Sequence, residues 1–98
     1  MRIACYVGDE VTAAGFRLAG FATIVPEPAR EREALAAARS GAPLVLLCAA
    51  VASRIDATVL ASALAALDPP IAILPDLRGE ASVPDPGPRI ARALGLEG

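Results

Sequence analysis

Ile3-Ala4-Cys5-Tyr6-Val7-Gly8-Asp9-Glu10-Val11-Thr12-Ala13-Ala14-Gly15-Phe16-Arg17-Leu18-Ala19-Gly20 reads as a strand, a turn and a helix in immediate succession. The five apolar residues Ile3 to Val7 predict a short buried strand. Gly8 suits the tight strand-to-helix turn, Asp9 is placed to cap the helix, and Gly20 can close it in a left-handed conformation. A helix from about Asp9 to Ala19 follows. Successive side chains turn by about 100°, so Val11, Ala14, Gly15 and Leu18 share a stripe expected to face inward, with Phe16 and Arg17 about 130° away on either side. Such a flanking aromatic and guanidinium have two readings: a partner surface, or Phe16 packed on a neighbouring helix while Arg17 is solvated. Gly15 costs the helix about 1 kcal/mol relative to alanine, which close approach to a strand or to another subunit would explain.

The same alternation continues outward from this unit. Ala22 to Val25 predicts a second, short strand. Pro28 suits the first position of a second helix that runs through Arg30, Glu31, Leu35 and Ala38 and stops at Ser40-Gly41. Leu44 to Cys48 is apolar without alternation, as in a strand covered on both faces and so central in a parallel sheet. Ser53 and Asp56 form a possible capping box for a third helix with a stripe of Val59, Leu60, Ala63, Leu64 and Leu67, ended by Asp68-Pro69-Pro70. Ile71 to Leu74 is the fourth strand. Strands alternating with helices predict an α/β fold with a four-stranded parallel, doubly wound sheet, Rossmann-like or receiver-like, with right-handed crossovers. Residues 1–76 would form this α/β domain. Residues 77–98 would complete it with a loop, Leu77 to Pro88, that tethers a short helix from Arg89 to Leu94. That helix offers Ile90 and Leu94 on one side and Arg89 and Arg92 on the other, too few residues to be stable undocked.

Composition narrows the function classes. Ninety-eight residues make one domain with a small core, and apolar residues supply 55% of the chain but aromatics only 3%, so elements must pack closely on alanine. No apolar run approaches the ~20 residues of a membrane-spanning helix and no signal-peptide pattern follows Met1, so a cytoplasmic location is expected. A net charge of −2, nine arginines and no lysine argue against a nucleic-acid surface. Cys5 and Cys48 sit in apolar strands as small hydrophobes. Without histidine or a Cys-x-x-Cys pair, a zinc site lacks ligands.

Ligands of open parallel sheets bind beyond the carboxyl ends of the strands, which places Gly8-Asp9-Glu10, Pro26-Glu27, Cys48-Ala49-Ala50 and Pro75-Asp76 on one rim. Gly8 lacks the further glycines of a dinucleotide fingerprint, and a P-loop needs a lysine, so nucleotide binding is not expected. Asp9-Glu10 resembles the magnesium-holding acids of phosphoacceptor receiver domains, but Cys48-Ala49 stands where their phosphoacceptor aspartate closes the third strand. Cys5 lies inside a strand rather than in a phosphate-cradling loop, which disfavours a phosphocysteine carrier. Neither a catalytic residue, a cofactor site nor a metal site is expected.

Gly8-Asp9, Thr12 and the run Gly15-Phe16-Arg17-Leu18-Ala19-Gly20 resemble the opening of the F subunits of the vacuolar/archaeal-type rotary ATPases. The order of later segments is similar too: Ala42 to Cys48, Val51 to Ile55, Pro70 to Asp76, and Ile90 to Gly95. The closing helix is shorter than is usual in that family. The resemblance implies a non-catalytic rotor subunit of the central stalk of a V/A-type ATP synthase. Such a subunit is cytoplasmic and peripheral to the membrane, and helps couple ATP synthesis or hydrolysis to proton or sodium transport. Its implied partners are the coiled-coil central stalk subunit, D, and the catalytic head subunits A and B, the latter through the closing helix. Candidate interface residues are Thr12, Gly15, Phe16, Arg17, Arg89, Ile90, Arg92 and Leu94. The alternative is a free-standing receiver-like interaction or signalling module without a phosphoacceptor.

Overall fold

A computed structural model of the chain describes residues 3–75. Along it run β1 (Cys5–Val7), α1 (Glu10–Leu18), β2 (Ala22–Ile24), α2 (Glu31–Gly41), β3 (Val45–Cys48), α3 (Ala49–Ala52), α4 (Ala57–Ala66) and β4 (Ile71–Leu74). The four strands form one parallel sheet in the order β2-β1-β3-β4. Tyr6 lies opposite Thr23 on β2 and Leu46 on β3, and Val45 lies opposite Ile71 on β4. The expected α/β architecture is therefore present, with β3 internal as its unbroken apolar run requires.

The strand order decides which face each helix covers. The chain moves from β1 to β2 in one direction and from β2 through β3 to β4 in the other, so right-handed crossovers put α1 on one face and α2 and α4 on the opposite face. Side-chain alternation agrees. Cys5, Val7, Val45 and Leu47 point to the α2 side, where they meet Ala34, Leu35 and Ala38 in the core; Val7, Val45 and Leu47 are fully buried. Tyr6 points to the α1 side and is 2% exposed. Glu31, in the first turn of α2, is a buried carboxylate at 5% exposure, 3.8 Å from the Arg54 guanidinium and at the helix end where the dipole favours negative charge.

Several expectations need correcting. The inward face of α1 is not Val11, Ala14, Gly15 and Leu18: Ala13 is buried, Phe16 packs on the core, and Val11 and Leu18 are 64% and 92% exposed. The Phe16 ring sets this rotation, because it stacks on Tyr6 at 4.6 Å and meets Phe21 edge-on at 5.1 Å, and no aliphatic stripe on this helix offers comparable contact. Pro28 is not the first residue of α2; it lies in the turn closed by the Arg30 amide donating to the Glu27 carbonyl, and the helix starts at Glu31. The Ser53/Asp56 capping box does not form. Ser53 follows the short α3 and donates its hydroxyl to the Ala50 carbonyl, while Asp56 precedes α4 without a side-chain cap bond. Leu67 leaves the expected stripe: it ends α4 in a left-handed conformation at φ 63° and is 75% exposed. Strands β1, β2 and β3 are shorter than expected at their ends, and β4 spans Ile71 to Leu74 as the sequence predicts.

Candidate functional site

The sheet's topological switch point lies between β1 and β3, since the chain leaves β1 towards one edge and returns to β3 on its other side. A ligand crevice belongs at their carboxyl ends. Here that place is filled by the protein's own Tyr6. Its hydroxyl donates to Asp9 Oδ1 at 3.1 Å, and Asp9 Oδ2 accepts the Thr12 amide at 2.9 Å, so one carboxylate both caps α1 and holds the phenol. Gly8 makes this possible. A Cβ at residue 8 would overlap the Tyr6 hydroxyl and sit 2.7 Å from the Cys48 Cβ. Thus the glycine that the sequence marks as a turn is needed for close side-chain approach as well.

The electrostatics of the cluster follow from these contacts. Burial pushes the Tyr6 phenol above its ordinary range, and the neighbouring Cys48 and Asp9 groups push it in the same direction. For Asp9, burial acts to raise the carboxyl, but hydrogen bonds from the Thr12 amide and hydroxyl and from the Tyr6 hydroxyl outweigh it and leave the group below its ordinary value. A neutral phenol bonded to a carboxylate results. Burial also raises the Cys5 thiol, which with Cys48 is free and buried, each within its own strand. The second acid of the rim, Glu10, is engaged elsewhere: its carboxylate pairs with Arg17 at 3.3 Å, and Arg17 Nε also donates to Thr23 Oγ1 at 3.1 Å. Among the described residues no cluster of His, Cys, Asp or Glu is arranged to hold a metal ion, and no helix is long and apolar enough to cross a membrane.

What α1 presents outward is different in kind. Arg17 and Glu10 line its side towards β2, while Val11, Ala14 and Leu18 form an exposed crest. On the flank away from β2 lies a groove of about 390 Å³ lined by Val11, Thr12, Gly15, Phe16, Ala19 and Phe21. Gly15 sits in the middle of it, and among the described residues a Cβ there would meet nothing within 4 Å. Close approach to a strand of its own sheet therefore does not explain this glycine. Of the sequence-derived candidates, Thr12, Gly15 and Phe16 meet at this groove and Arg17 lies across the helix from it. Arg89, Ile90, Arg92 and Leu94 lie outside the described residues. Sequence reasoning missed the crest residues Val11 and Leu18, because a period of 3.6 locates an apolar stripe but not the side on which the core lies.

The chain matches no protein-family model, no curated protein and no solved structure.

Proposed function

We propose that this chain is a non-catalytic subunit of a rotary ATPase central stalk of the V/A type, which docks through α1 on a coiled-coil stalk subunit and turns with it. The observation that carries this reading is the α1 crest. Val11 and Leu18 stand 64% and 92% exposed on the helix whose Gly15-to-Gly20 run resembles the family's motif, a costly arrangement for a helix that meets only water. Rotor coupling needs an interface that does not slip under torque. An interface of standard size, about 1,600 Å² in total, anchored by a few apolar side chains and rimmed by charge, would meet that need, and the Glu10–Arg17 pair beside the crest supplies such a rim. The filled switch point favours an architectural role over a receiver-like one, because the carboxylate that would hold magnesium is bonded to Tyr6 and Thr12 instead.

The test is co-expression with the coiled-coil stalk subunit of a V/A-type complex followed by size-exclusion chromatography. Co-elution is expected. Leu18→Glu leaves the fold intact, since the side chain is almost wholly solvated, and should weaken the complex by about 1 to 3 kcal/mol. Separate elution of the native chain, or undiminished binding by a Val11→Glu/Leu18→Glu variant, would overturn the reading.

A further inference from the structure

Val11, Ala14, Gly15 and Leu18 recur along α1 at the spacing i, i+3, i+4, i+7, and all four are exposed, Val11 at 64% and Leu18 at 92%. Four residues at that spacing outline the hole that receives one side chain of a facing helix in knobs-into-holes packing. The residue types give the hole its shape. Val11 and Leu18 stand as tall walls at its two ends, about 10 Å apart along the axis, and Ala14 is a low wall on one side. Gly15 adds no wall, so the hole opens sideways into the groove over Phe16 and Phe21. We infer that this hole is a socket for one large aliphatic side chain, a leucine, isoleucine or methionine, carried on a helix of the partner, and that Gly15 sets the size of side chain admitted. The inference rests on the reading that α1 docks on the stalk, and it adds what the partner must bring to that contact.

Three observations select this occupant. The first is the glycine itself. It lies inside α1, where alanine would favour the helix, and among the described residues a Cβ there would meet nothing within 4 Å. What a Cβ would obstruct is a helix arriving from outside, which over Gly15 and Ala14 can reach the lower end of the ~8–10 Å interaxial range. The second is the charge on the flank. With Val11 and Leu18 at heptad positions a and Ala14 at d, Glu10 and Arg17 fall at g, the flank where coiled coils carry their partner-choosing charges. Glu10 and Arg17 are paired at 3.3 Å and half-exposed, so a helix lying along α1 meets both, and an acid opposite Arg17 with a base opposite Glu10 complements them. The third is area. The nine residues of α1 are about 13 Å long, so two copies of this face against each other fall short of the ~1,200 Å² of a stable dimer, whereas a long stalk helix continues past both ends of α1 onto the rest of the chain.

Gly15→Ala and Gly15→Leu in the full-length chain test the socket with two readouts. In the chain alone, urea unfolding followed by far-ultraviolet circular dichroism should give both variants a midpoint equal to or above that of the native chain, because each favours the helix and places its side chain in open space. With the coiled-coil stalk subunit, calorimetric titration should show the affinity falling several-fold for Gly15→Ala and about tenfold or more for Gly15→Leu, in the order of the volume placed in the hole. A lowered midpoint for Gly15→Leu in the chain alone would overturn the inference, because the hole would then be filled from within the chain. Undiminished affinity of Gly15→Leu beside a weakened Leu18→Glu would overturn the socket and leave stalk docking in place, whereas a native chain that does not bind the stalk would overturn both. Dimers of the native chain in sedimentation equilibrium that Gly15→Leu abolishes would assign the hole to a second copy and likewise overturn it.

Discussion

Gly8→Ala is the substitution that most directly probes how the switch point is closed. The new methyl would overlap the Tyr6 hydroxyl and stand 2.7 Å from the Cys48 Cβ. Neither neighbour can yield cheaply. The Tyr6 ring is stacked under Phe16, its hydroxyl is bonded to Asp9, and the Cys48 Cβ is fixed to the backbone of β3. Overpacking of this kind costs about 1 to 3 kcal/mol, and displacing the phenol from Asp9 adds about 1 kcal/mol, so a loss of roughly 2 to 4 kcal/mol is expected. That is a large part of the ~5 to 15 kcal/mol that stabilises a small domain. Urea unfolding followed by far-ultraviolet circular dichroism measures it. A double-mutant cycle identifies the cause: Tyr6→Phe alone should cost about 1 kcal/mol, but in the Gly8→Ala background it removes the clashing oxygen, so the pair should be less unstable than the sum by about 1 kcal/mol or more. The relief is partial, because the approach to the ring carbon Cζ of residue 6 at 2.5 Å and the Cys48 contact persist. Additive costs, or a Gly8→Ala variant within about 0.5 kcal/mol of the native chain, would refute the idea that this glycine exists to admit the phenol.

Phe16→Ala should destabilise the isolated chain by about 2 to 4 kcal/mol, since the ring joins Tyr6 and Phe21 over β1 and β2; thermal unfolding without any partner is the check. Arg17→Ala should change stability by no more than about 1 kcal/mol, because its pair with Glu10 is half-exposed on both sides, and the same unfolding assay reads it. For Asp9, the folded-state pKa lies below the ordinary value, so its stabilising effect is complete above the unfolded pKa and is lost as pH falls through the folded one. Asp9→Asn should therefore shrink the stability gap to the native chain as pH drops below the usual carboxylate range, and a gap independent of pH would contradict the hydrogen-bonding account.

How much of this was legible in the sequence divides along a physical line. Local signals carried the element order, the cap at Asp9, the left-handed stop at Gly20 with φ 100°, and β4 to the residue, because each depends on a few neighbouring side chains. The parallel topology followed from alternation and short connections. Rotation of α1 did not follow, because this short helix carries apolar residues on more than one side, and the choice of inner face fell to the Phe16–Tyr6 stack between residues in different elements. The same limit hid the Gly8–Tyr6–Cys48 approach, which joins two strands distant in sequence. The burial of Glu31 is hidden for the same reason, because it depends on the short α3 and the turn after it, which bring Arg54 to the start of α2.

The rotation of α1 also changes which residues can recognise a partner. With Val11, Ala14 and Leu18 inward, the helix would offer a partner only Phe16 and Arg17, a pair on opposite flanks that no single helix could engage together. With Ala13 and Phe16 inward instead, the exposed side carries an apolar crest next to a groove centred on Gly15, bounded on its β2 side by an ion pair. A crest with such a rim is the arrangement in which desolvating a few apolar side chains carries the affinity and nearby charge sets orientation. Substituting crest residues should then alter assembly without altering stability, while substituting Phe16 should do the reverse. That separation is possible only because one aromatic ring, and not the aliphatic stripe, anchors the helix to its sheet.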